Sequence, residues 1–141
     1  MMDKKEQIKR IASVIRPILE KRNDFENMDE LLDERDHESF SARWLSEFNT
    51  VEKIKRQGEN VLLIDTLREE IFKSVFNKSN NSDVASYISD DLALLMDAVN
   101  SNYESAWLSA LLNLYSEGEI PKGKIEEKKT SLLSLIEKLK E

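Results

Sequence analysis

Val84, Ile88, Leu92, Leu95 and Val99 stand at i, i+4, i+8, i+11 and i+15. That spacing keeps one side of an α-helix apolar over roughly four turns, whereas the two-residue period of a strand would scatter the same residues over both faces. The helical period recurs along the chain. Ile8, Ile11, Ile15 and Ile18, with Leu19, predict a helix over 3–22 that Pro17 kinks or splits. Met28, Leu31 and Leu32 fit a short helix at Asp29–Arg35, and Phe40, Trp44, Phe48 and Val51, with Leu45 and Ile54, fit one that ends at Gly58. Ile64, Leu67, Ile71 and Val75, widened by Leu63, Phe72 and Phe76, predict a helix over 59–77. Residues 77–83 read as a polar linker, with Ser82 or Asp83 capping the next helix. After the break at Asn100-Ser101-Asn102, the segment from Tyr103 is apolar on nearly two faces: Trp107, Ala110, Leu111 and Leu114 beside Leu108, Leu112 and Tyr115. It is predicted to lie at the centre of the core. Gly118 stops it, Pro121 and Gly123 form a connection, and Ile125, Leu132, Ile136 and Leu139 mark a final helix. No stretch alternates with period two and no internal repeat is visible. The predicted fold is all-α, a single domain over 1–141 of about six to seven helices packed as an irregular bundle.

Counting residue types removes much chemistry. With 141 residues, 40% of them hydrophobic, the chain is long enough to bury a core without a metal or disulfide staple. Three glycines leave no room for a glycine-rich phosphate loop, and the absence of Cys removes thiolate catalysis and cysteine-ligated zinc. His37 is the only histidine, so a paired-histidine metal site cannot form, and it reads as a surface residue. The acidic run around it lacks the spaced ligands and central glycine of a calcium loop. No serine sits in a nucleophile elbow. The expectation is no catalytic residue, no metal and no cofactor. The start of the chain has no apolar signal core, and no apolar run approaches the roughly 20 residues that span a bilayer. A soluble cytoplasmic protein is expected.

Charge is informative because it is segregated. The net charge is −7, but residues 24–38 carry eight acids against Arg35 alone, and residues 79–118 contain six acids and no Lys or Arg. The remaining windows are basic on balance, most of all residues 1–23 with seven bases against three acids. Clustered carboxylates repel phosphates, which argues against direct nucleic-acid binding and for a basic protein partner, or for solubility alone. Asp90, Asp91 and Asp97 invite a paired-carboxylate reading, since Asp90 and Asp97 are a heptad apart, but their face lies opposite the apolar stripe. They are therefore expected to face solvent or a partner. The expected partner-binding set is Asp29, Glu30, Asp33, Glu34, Asp90, Asp91 and Asp97, with an exposed aromatic residue nearby as the anchor.

Over residues 90–121, Asp90-Asp91-Leu92-Ala93-Leu94, Asp97, Tyr103, Trp107-Leu108, Tyr115, Gly118 and Ile120-Pro121 follow one another. This stretch resembles the C-terminal helical part of the small all-α immunity proteins that accompany contact-dependent growth inhibition and other polymorphic bacterial toxins. The resemblance implies neutralisation of a cognate toxin domain by tight binding, without catalysis. Toxins of this kind are often nucleases with basic surfaces, which suits an acidic inhibitor. The residues alone leave a second reading open, a non-catalytic helical adaptor or regulator of another protein.

Overall fold

The computed structural model of the chain describes residues 2–21, 28–55 and 60–139. Asp24, Glu26, Gly58 and Glu59, used above as part of an acidic stretch, a helix stop and a helix start, lie outside the described residues. The described residues form eight helices and no strand: α1 (Lys4–Ser13), α2 (Ile15–Lys21), α3 (Asp29–Asp36), α4 (Glu38–Ile54), α5 (Val61–Ser79), α6 (Ser82–Asn100), α7 (Ala106–Ser116) and α8 (Leu132–Lys138). The all-α expectation holds.

The eighth helix arises because the first apolar segment divides at Val14, between α1 and α2. Pro17 is then the third residue of α2, where a missing N–H costs nothing because first-turn amides have no intrahelical acceptor. Asp3 caps α1 by accepting from the Glu6 amide.

The predicted linker over 77–83 contracts to two residues. α5 runs on to Ser79, Asn80 takes the left-handed conformation at φ 53° that ends it, and Asn81 accepts from the amides of Asp83 and Val84 to start α6. The cap is Asn81, not Ser82 or Asp83, which are the first residues of the helix. With so short a turn, α5 and α6 pack along each other as the most extensive helix pair of the molecule.

α6 is the central helix, flanked also by α1 and α4, and 13 of its 19 residues are buried. α7 is buried on most sides, as its double apolar face requires, with Trp107, Leu108, Leu111, Leu112 and Tyr115 inside. It ends in a Schellman turn: the Gly118 amide donates to Tyr115, the Glu119 amide to Leu114, and Gly118 sits at φ 81°.

The expected last helix begins only at Leu132. Residues 119–131 are irregular chain, buried at Ile120 and Pro121 and more exposed after them, and held by the Lys128 amide donating to the Ala106 carbonyl. One apolar residue, Ile125, among Lys124–Thr130 gives this segment too little to bury as a helix.

Candidate functional site

Two neighbouring residues on α6 have opposite fates. Asp91 was expected at the surface and is 0% exposed. It falls three residues after Ile88 and four before Leu95, within the apolar row, so the helix turns it inward. Its Oδ1 accepts from Arg35 Nη2 at 2.7 Å and Trp44 Nε1 at 2.8 Å; its Oδ2 accepts from Arg35 Nη1 at 2.6 Å and the Tyr115 hydroxyl at 2.5 Å. Arg35 Nη1 also donates to the Pro121 carbonyl at 3.1 Å. One carboxylate thus ties α3, α4, α6 and α7 together. Burial alone would lower the Arg35 pKa, but the adjacent carboxylate outweighs it and holds the guanidinium charged. Burial, reinforced by Asp91, pushes the Tyr115 hydroxyl well up, so it stays a neutral donor. Arg35 Cζ lies over two aromatic rings, 4.2 Å from the Phe40 centroid and 4.9 Å from the Tyr87 centroid.

This knot positions an open cleft between α4 and α6. Two cavities of about 300 and 280 Å³ share Trp44 and Asp90 as a common wall. The apolar side comes from α4: Trp44 and Phe48 are half-buried and stacked, with centroids 5.2 Å apart and planes 12° apart, and Leu45 beside them is 53% exposed. Because its nitrogen is bonded to Asp91, Trp44 is fixed by the buried pair behind it. These residues read from sequence as core. The signal that distinguishes them is the width of the α4 stripe, since Leu45 and Ile54 stand off the Phe40–Trp44–Phe48–Val51 row and one edge of so broad a face stays uncovered.

The polar side is acidic. Asp90 and Asp97 line one cavity, as their heptad spacing predicts, together with Glu52 of α4 and Asp65 of α5. Asp36 closes the α3 end and accepts from the Tyr87 hydroxyl, whose pKa this bond pushes up to about 12. Among the described residues, Lys55 and Arg68 are the cations of the cleft besides the buried Arg35, and Arg68 pairs with Asp90. Asp97 makes no direct hydrogen bond or ion pair through its carboxylate among the described residues, and its pKa is raised, chiefly by burial.

The rest of the expected set lies on α3. Asp29, Glu30 and Asp33 are exposed, and Glu34 is half-buried and paired with Lys122 at 3.2 Å. Local compensation therefore reaches α3 from a distant part of the chain, which the charge windows did not show. The two acidic stretches meet where Asp36 joins Tyr87; along their own helices Asp29 lies about 10 Å and Asp97 about 15 Å beyond that junction.

His37 is exposed and accepts from the Ser39 amide at the start of α4. Glu47, 5% exposed, was not singled out in the sequence; it accepts from the Tyr103 and Ser105 hydroxyls at the N-terminus of α7, where a carboxylate suits the helix dipole. Among the described residues no group of three or more His, Cys, Asp or Glu is placed to hold a metal ion, and no helix is long and apolar enough to cross a membrane.

A comparison with protein families finds one whose model, described as immunity protein PIM1, matches residues 7–122. Among curated proteins nothing matches the chain.

Proposed function

We propose, from the premise that this chain belongs to the PIM1 family of immunity proteins, that it binds a cognate bacterial toxin domain and neutralises it as a stoichiometric inhibitor, without catalysis. The toxin is one delivered by contact-dependent growth inhibition or a related polymorphic system, it presents a basic surface, and it is met in the cytoplasm. The observation that carries this reading is the family match over 7–122, which takes in every element that builds the Asp91 knot and the cleft beside it. The acidic charge supports it: an inhibitor of net charge −7 is drawn to a basic toxin, and opposed fields speed encounter and exclude wrong partners.

The test is co-expression with the toxin domain encoded in the neighbouring reading frame. Growth should be restored by this chain, and the two proteins should purify together at equal stoichiometry. Continued growth arrest with no complex would overturn the proposal and leave the adaptor reading in its place.

A further inference from the structure

Building on the immunity reading, we propose that the α4–α6 cleft is the docking site for a basic segment of the toxin. An arginine or lysine of that segment lays its stem on Trp44, Leu45 and Phe48 and sets its cationic head against Asp90 and Asp97.

Three observations select this occupant. The first is shape and polarity: a stacked aromatic pair and an exposed leucine face a row of carboxylates across a cleft of side-chain dimensions. Long basic side chains combine an apolar stem with a charged tip, and Trp with Leu offers the first a surface while Asp offers the second an acceptor.

The second is charge. With Arg35 set against Asp91, the described lining residues hold five carboxylates against Lys55 and Arg68, a net −3. An acidic segment is repelled there, and a second copy of this chain brings the same acidic surface.

The third is unmet polar capacity. Among the described residues the partly buried Asp97 carboxylate has no direct hydrogen-bond or ion-pair partner. Interfaces concentrate binding energy at such half-buried aromatic and charged anchors.

The state of Asp97 provides a signature that a structural role would not give. Its folded pKa lies above the ordinary carboxylate value: burial contributes most, Lys55 and Arg68 work against it, and Glu52 and Asp65 add to it. The ionised carboxylate therefore weakens the free protein at neutral pH, and stability is recovered as pH falls through the raised value. A cation docked in the cleft removes that weakness. Asp97→Asn should accordingly melt at the same or a higher temperature than wild type at pH 7, with the difference closing under acid, yet bind the toxin less tightly.

The experiment measures affinity for the purified neighbouring-frame toxin domain, and growth rescue, for Leu45→Ala and Asp97→Asn. Leu133→Ala, an exposed apolar residue on α8, serves as control. Each cleft variant should lose about tenfold or more in affinity with its melting temperature kept, and Asp97→Asn should flatten the salt dependence. Wild-type affinity in both cleft variants, or equal loss in Leu133→Ala, would overturn the docking site while leaving the immunity reading intact. If the wild-type chain itself neither binds nor rescues, the immunity reading fails and the docking site with it. Self-association of the free chain through the cleft would assign the site to a second copy instead.

Discussion

Asp91 and Arg35 form an ion pair whose energy depends on completeness. Taking both charges out of water is costly, and the cost is offset only because every carboxylate lone pair in reach finds a donor: two guanidinium nitrogens, an indole and a phenol. Removing one member leaves the other buried and unpaired. Asp91→Ala should therefore destabilise the protein by about 3–5 kcal/mol, read from the urea midpoint at unchanged slope. It should also release Trp44 and so weaken toxin binding indirectly. Replacing Asp91 and Arg35 together by apolar residues of similar volume should recover most of the stability, since the desolvation cost goes with the charges. A single Asp91→Ala variant as stable as wild type would show that the knot contributes little.

At the scale of elements, the connections carry the information that periodicity lacks. The α5–α6 turn consists of a left-handed Asn80 followed by an extended Asn81, and the Asn81 side-chain Oδ1 accepts from two free amides of α6 at 3.0 and 3.1 Å. Asn81→Ala should cost about 1 kcal/mol, the usual value of a lost N-cap, measured by chemical denaturation. A larger loss would mean that the turn also sets the packing of α5 on α6. The helical period locates α5 and α6 correctly, but a run such as Asn77-Lys78-Ser79-Asn80-Asn81 is read as linker because its residue types favour turns. In the structure packing on α6 extends α5 by a further half turn, an override of local propensity by tertiary contact.

Across the whole molecule, charge segregation along the chain becomes partial segregation in space. α3 presents Asp29, Glu30 and Asp33 to solvent, while Glu34 is met by Lys122 and Asp90 by Arg68. Reversing Asp29, Glu30 and Asp33 to Lys should slow association with the toxin strongly at low salt. The effect should shrink at high salt, where the screening length falls to about 3 Å near 1 M. Stability should change little, because exposed charges contribute weakly. An unchanged, equally salt-dependent association rate would confine recognition to the cleft and make the α3 acids a matter of solubility.

The sequence by itself determined the fold class, the positions of most helices and the central burial of α7. These follow from local geometry: a period near 3.6 residues over long apolar runs has one way to bury its stripe. It also placed Asp90 and Asp97 on a common face, since seven residues return to the same side of a helix. Only the tertiary structure decided which acids are available to a partner. Asp90 and Asp91 are the same residue type one position apart, and 100° of helix rotation, combined with an arginine 56 residues away, separates a cleft carboxylate from a buried one. Only the tertiary structure, too, left the Trp44–Leu45–Phe48 edge open. Whether an apolar face is core or surface depends on what packs against it, and α4 meets α6 over too short a contact to cover its full width.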